Sequence, residues 1–484
     1  MLFNSYIFLL LFLPLCIVGY FTFNHFKKYK IAQCFLLGMS LWFYAYFNLS
    51  YLAIIVVSIL FNYGIYKKLE KEKKHRKLYL IIGLLVNICT FVYFKYMDFF
   101  IANINTLFGK DIPLLKIVLP LGISFFTFQQ LSFVIDSYKK EVPKYDLLNY
   151  ASFVAFFPQL IAGPIVTHDE LVPQFLDKKK KKFNWDNFSQ GLYGFALGLA
   201  KKVLIADTFG VVVNWGFGVD SISALNSTNA IIVMLSYTIQ IYFDFSGYSD
   251  MAIGLGKMFN ITLPVNFNSP YKGLTIKEFW DRWHMTLTRF FTKYVYIPLG
   301  GSRKGKIRTY VNVMIVFLVS GFWHGANWTF ILWGFMHGVF SVIYRIFKDK
   351  FDKLHPVFNW MITFTFVNLT WIFFRADSIS QAVTFIKTIF KFKFGGIDSN
   401  ILNAFKLPEL SYILKNFKIE SVLPYFLMQV FFIVAFILIL GSKNAHEKME
   451  NFKPTLWNAI ITILLIVWCI MSFAGVSTFL YFNF

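Results

Sequence analysis

Apolar runs close to the ~20 residues that cross a bilayer core recur along this whole chain. They lie at 3–23, 49–66, 78–98, 229–243, 357–374, 421–441 and 456–474. That recurrence limits the fold to an all-α polytopic membrane protein. Of 484 residues, 57% are hydrophobic and 15% carry charge, whereas a soluble domain carries charge on roughly 25%. The first run is longer than the apolar region of a signal peptide and has no small-residue cleavage site after it, so it reads as a retained span.

The formal net charge of +22 raises nucleic acid as a partner, and the placement of that charge argues against it. Basic residues cluster between spans, at 67–77, 178–182, 303–308 and 345–353, as expected of cytoplasmic loops beside anionic lipid. Membrane lipid is the expected partner of these clusters. The four cysteines, Cys16, Cys34, Cys89 and Cys469, are scattered singly through apolar runs and give no disulfide framework or metal spacing.

Placing the clusters inside sets the topology. The chain starts outside, and hairpins at 31–66 and 78–135 return it to the inside. The run 148–165 contains Pro158, Gly163 and Pro164, which break helices, so it is expected to be re-entrant. Crossings follow at 188–208 and 229–256, then a charged, cytoplasmic-side re-entrant stretch at 260–307. Crossings at 309–322 and 326–346 and three further runs take the C-terminus outside, for about twelve spans in all. The outer-side loop 376–420 contains an amphipathic segment at 379–394, apolar with periodic lysines. Residues 1–484 form a single domain.

Ionisable residues within membrane segments are functional candidates because the bilayer makes them costly. Asp244 and Asp250 in "YFDFSGYSD" are either structural anchors or site residues. In "EFWDRWHMTLTRFFTKYVYIPLGGSRKG", Glu278 and Arg282 are spaced to pair on one helix face, and His284 follows. The stretch "SGFWHGANWTFILWGFMHG", 320–338, places His324 between Gly321 and Gly325, which suggests an interrupted helix beside a cavity. A neutral imidazole there can take a proton from a hydroxyl that attacks a carbonyl. His337 is expected to be a packed polar residue. Metal or haem ligation by the histidines lacks a clustered carboxylate or cysteine partner, and no G-x-S-x-G nucleophile elbow is present. Periodicity and composition stop at two classes: a membrane enzyme, or a transporter with a polar midplane site.

The long motifs "EFWDRWHMTLTRFFTKYVYIPLGGSRKG" and "GFWHGANWTFILWGFMHG", with "FFPQLIAGPI" and "YFDFSGYSDMAIGLGKMF", resemble the membrane-bound O-acyltransferase family. Within it they are similar to the bacterial branch that O-acetylates alginate and peptidoglycan. The resemblance implies helices around a central tunnel that joins the two membrane faces, in the bacterial inner membrane. It implies acetyl-CoA as cytoplasmic donor, no bound cofactor, and a periplasmic O-acetyltransferase or esterase-like protein that receives the acetyl group. His324 and His284 are the implied catalytic pair, and family pattern, not spacing, assigns His324 as base. Arg282, Trp283, Asp244, Asn266, Trp323 and Asn327 are the expected substrate-binding residues, and Arg303 and Lys304 face the donor phosphates. The ending "TFLYFNF" is either an interfacial anchor or, at Tyr481, a brief acyl carrier. Peptidoglycan is the expected acceptor, with alginate or another exopolysaccharide second. The thioester donor makes acetyl export downhill without ATP, and the chain contains no P-loop.

Overall fold

The computed structural model describes residues 1–219, 222–406, 423–473 and 479–480. Among these the secondary structure is helical throughout, without strands. Eight helices are long and apolar enough to cross a membrane: α1 Phe8–His25, α3 Leu49–Lys71, α4 Arg76–Phe108, α10 Ser227–Met258, α13 Lys306–His324, α14 Trp328–Ile346, α15 Pro356–Arg375 and α17 Leu423–Gly441.

Eight is fewer than the expected twelve, because several expected crossings are not single long apolar helices. α2 Tyr29–Ala45 and α5 Ile123–Lys139 have 17 residues each, and α18 Leu456–Met471 has 16. The run 148–165, expected to be re-entrant and not to cross, is broken into α6 Leu147–Ala155 and α7 Phe157–Leu160. Pro158 sits at the start of α7, and the nine residues of α6 reach only about 14 Å. The short helix α8 His168–Leu176 follows, opened by a Thr167–Glu170 capping box. The run expected at 188–208 is the middle of a longer helix, α9, spanning 185–218. It passes through a π-helical segment at Lys201–Ala206. The charged stretch 260–307 contains two seven-residue helices, α11 Ile276–Arg282 and α12 Met285–Phe291, joined through Trp283 and His284. The amphipathic segment is the eleven-residue helix α16, Ile379–Ile389; residues 407–422 of the expected outer loop lie outside the described residues.

Glycine sets how closely the central helices approach, as small residues do inside membranes, where packing rather than the hydrophobic effect drives helix association. On α9 and α10, Gly191 faces Gly254 and Gly198 faces Gly247. A β-carbon at Gly198 would lie 2.6 Å from the Gly247 carbonyl oxygen, and one at Gly254 would lie 2.6 Å from that of Gly191. On α13 and α14, Gly321 faces Gly334 with the same intolerance. Gly198→Ala is therefore expected to destabilise the protein by about 1–3 kcal/mol through overpacking. Gly38→Ala, at an exposed α2 position where a β-carbon meets nothing within 4 Å, is expected to be neutral or slightly stabilising. Thermal unfolding in detergent, with the two variants side by side, checks this.

Candidate active site

His324 is the last residue of α13, and Gly325 leaves the helix in an extended conformation (φ −164°, ψ 154°). Asn327 then caps α14 by accepting from the Thr329 backbone N–H at 3.0 Å, and its own amide donates to the Asp377 carbonyl at 2.9 Å. The break inferred from the flanking glycines is thus a true helix end, made by Gly325 and Asn327 together. His324 is 3% exposed. Its ring packs edge-on against Trp333 at 5.2 Å, with Trp323 at 4.8 Å and Phe374 at 5.1 Å.

His284 joins α11 to α12 in a left-handed conformation (φ 45°), uncommon for a residue with a β-carbon. That conformation aims its ring inward, where Nδ1 lies 3.1 Å from the Asn266 side-chain oxygen. The surrounding network decides the tautomer. Ile165 N–H donates to the Thr286 hydroxyl at 3.0 Å, so the hydroxyl hydrogen goes to Asn266 Oδ1 at 2.9 Å. Oδ1 is an acceptor, so His284 Nδ1 carries the hydrogen and Nε2 presents its lone pair. His284 lies outside the candidate spans, and burial pushes its imidazole down to about 3, so it is neutral at ordinary pH. Trp323 stands beside both histidines, with ring centroids 6.2 Å from His284 and 4.8 Å from His324.

His337 is a satisfied core residue, as expected. The Thr370 hydroxyl donates to the Val367 carbonyl at 3.0 Å, leaving its oxygen to accept from His337 Nε2–H at 3.0 Å. Trp280 Nε1–H donates to Nδ1 at 3.3 Å. With both ring nitrogens engaged, His337 has no lone pair for chemistry.

One cavity borders α13 before His324 and another lies at the turn just after it. The first, of about 280 Å³, is walled by Trp280, Phe317, Ser320, Tyr344 and Arg345; Ser320 lies one turn before His324 on the same face. Arg345 also lines an adjoining basic depression of about 540 Å³ with Lys306 and Lys348. At the turn, about 430 Å³ is enclosed by Lys95, Gly325, Ala326, Asn327, Phe374 and Arg375. His324 lies in the chain between Ser320, on the wall of the first cavity, and Gly325, on the wall of the second.

The other sequence-based candidates divide by location. Asn266, Trp323 and Asn327 belong to the histidine site. Trp283 is 1% exposed and packs on Trp371 at 5.0 Å, so it supports the site from behind. Arg282 does not form the expected pair with Glu278: the Glu278 carboxylate accepts from Leu274 N–H at 2.9 Å at the start of α11, where a negative charge suits the helix dipole. Arg303 and Lys304 are exposed on the turn before α13, while Ser302 and Lys306 face the basic depression. Asp244 is an anchor, next to Phe245, whose ring packs edge-on against His284 at 4.8 Å. Its carboxylate takes Lys202 Nζ at 2.6 Å and the Leu480 backbone N–H at 3.0 Å, and Lys202 also pairs with Asp207 at 2.8 Å. Asp250 pairs with Lys201 at 2.6 Å. Phe479 is 1% exposed with its ring 4.8 Å from Lys202 Nζ, so this part of the C-terminal segment enters the core instead of lying at the interface; Tyr481 lies outside the described residues.

Sequence reasoning missed Lys95, Lys201, Lys202, Ser320 and Arg345. The three lysines interrupt apolar runs, which is the signal that marks intramembrane candidates; Ser320 and Arg345 become visible only when α13 and α14 are folded together.

The family model for membrane-bound O-acyltransferases matches residues 36–379. A peptidoglycan O-acetyltransferase of Helicobacter pylori is 39% identical over 100% of this chain and 98% of its own length. A probable alginate O-acetylase of Pseudomonas aeruginosa is 38% identical over 81% of this chain and 75% of its own. A teichoic acid D-alanyltransferase of Bacillus subtilis is 29% identical over 51% of this chain and 66% of its own.

Replacing Lys202 with Met leaves Asp244 and Asp207 buried without their cation and is expected to cost about 3–5 kcal/mol. Loss of membrane-inserted protein in a fluorescence-tagged expression assay checks this, and unchanged yield and melting temperature would contradict it.

Proposed function

The chain belongs to the membrane-bound O-acyltransferase family and is a multi-pass membrane acyltransferase; from this premise we propose that it moves acetyl groups from cytoplasmic acetyl-CoA across the bacterial inner membrane to O-acetylate peptidoglycan. A transporter without acyl chemistry, open on composition alone, is set aside by that membership. The observation that carries the reading is the place of His324, a buried imidazole between Ser320, which walls one cavity, and Gly325, which walls the other.

The donor enters from the end bearing Lys306, Arg345 and Lys348, which basic-loop placement assigns to the cytoplasm. Those cations suit the coenzyme phosphates, and the apolar walls at Trp280 and Phe317 suit its pantetheine arm. The thioester is then directed toward Ser320 and His324. An acceptor hydroxyl comes from the opposite cavity. His324 takes its proton as the oxygen attacks the thioester carbon, the C–S bond breaks, and the imidazolium returns the proton to the departing thiolate. The products are an acetyl ester and the free thiol. His284, with Nδ1–H held on Asn266, orients the donor. A periplasmic O-acetyltransferase or esterase-like partner receives the acetyl group and passes it to the glycan. Peptidoglycan is preferred because the Helicobacter pylori relative aligns with the whole of this chain, whereas the Pseudomonas aeruginosa relative covers 81% of it. Alginate or another exopolysaccharide is second.

Base-labile acetate released from purified cell wall tests this in wild type, in a deletion strain, and in the deletion complemented with wild-type protein or His324→Ala. Acetate is expected to fall in the deletion, to return with wild-type protein, and to stay low with His324→Ala at matched protein levels. Unchanged wall acetate in the deletion contradicts the peptidoglycan assignment; full restoration by His324→Ala contradicts the role of the histidine.

A further inference from the structure

α13 ends inside the protein, and the last carbonyls of a helix have no donors within it. Here the donors come from two successive residues of α4. The Tyr96 hydroxyl donates to the Phe322 carbonyl. The Lys95 ammonium donates to the Trp323 carbonyl at 2.7 Å and to the His324 carbonyl at 3.0 Å. Three consecutive carbonyls, ending at His324 itself, are thus held by one short piece of a neighbouring helix. The Tyr96 ring stacks on Phe322 at 4.2 Å and 12°, which fixes the register of the two helices.

Lys95 is an unusual choice for this task. Carbonyls can be satisfied by neutral donors at much lower desolvation cost than an ammonium carries. Among the described residues it forms no ion pair with a carboxylate. Asp98, one turn along α4, is engaged by the backbone N–H groups of Leu115 and Lys116 at 2.7 and 2.9 Å. The partners of the cation are instead the negative end of the α13 dipole and the Trp323 ring, 5.7 Å from Nζ. Lys95 also lines the 430 Å³ cavity together with Gly325, Ala326 and Asn327. It therefore holds the backbone of Trp323 and His324 and borders the cavity beyond them.

We propose that Lys95 is a positioning residue for His324: its clamp on the Trp323 and His324 carbonyls holds the imidazole in its working place at the end of α13. The inference rests on the reading of His324 as the base. A clamp that sets the aim of a base acts on turnover and leaves donor binding alone, because the donor cavity is walled by other residues.

The test compares Lys95→Met, Lys95→Arg and His324→Ala in the full-length protein. The rate of wall acetate accumulation is measured after induction in the deletion strain, per unit of membrane-inserted protein, and acetyl-CoA binding is measured on the purified protein in nanodiscs. Lys95→Met is expected to lose on the order of a hundredfold in rate, the scale of a small misplacement of a catalytic group, with acetyl-CoA affinity within twofold of wild type. Lys95→Arg, which keeps a cation and donors, is expected to recover most of the rate. If His324→Ala is inactive while Lys95→Met keeps the wild-type rate, the inference falls and the base assignment stands. If His324→Ala is fully active, the base assignment itself fails. The inference is also overturned if Lys95→Arg is as slow as Lys95→Met, if Lys95→Met loses acetyl-CoA binding along with rate, or if neither lysine variant reaches the membrane, since Lys95 then serves the fold and not the imidazole.

Discussion

An α-helix cannot stop inside an apolar core unless its last carbonyls find donors, and the centre of this protein is organised by one that does stop there. An unpaired buried carbonyl costs a few kcal/mol, and α13 ends with three in a row that are met from α4. Because they are met, Gly325 can leave in an extended conformation. Because the chain turns there, α14 runs back along α13 with Gly334 against Gly321. That close approach brings the Trp333 ring edge-on to His324. The helix end, the glycine contact and the aromatic packing are one construction, and the imidazole is its centre.

Three buried histidines share this region, and hydrogen-bond partners separate their roles more sharply than burial does. His337 uses both ring nitrogens on Trp280 and Thr370 and is structural. His284 has its hydrogen fixed on Nδ1 by the Asn266–Thr286–Ile165 chain, so its remaining nitrogen is an acceptor aimed inward. His324 stands at the end of α13, with one cavity bordering the helix before it and another at the turn after it.

Much of this was legible in the sequence, and the rest was not for identifiable reasons. Spanning helices announce themselves because hydrocarbon burial acts along a single segment. The helix end at His324 was readable from two local signals, a glycine where the chain must turn and an asparagine where the next helix must be capped. Local spacing misled at Glu278 and Arg282. Separation by four residues permits a pair but does not compel it, and the N-terminus of α11 competes for the carboxylate. The pair of Lys202 with Asp244 joins residues 42 apart and leaves no local trace. Neither does the grip of Lys95 on residues 228 and 229 positions away. The break in the run 148–165 was legible from its prolines and glycine, whereas apolarity alone did not reveal that α2, α5 and α18 would be only 16 or 17 residues long.

The central claim is that acetyl crosses the membrane at His324 from a donor on one face to an acceptor on the other. The most direct measurement uses right-side-out membrane vesicles carrying the protein together with its wall acceptor, with radiolabelled acetyl-CoA either sealed inside or supplied only outside. The account predicts alkali-labile label on outer-face glycan when the donor is inside, and none above background when it is outside. Equal labelling from external acetyl-CoA would contradict it, because the donor would then reach the histidine from the acceptor's side.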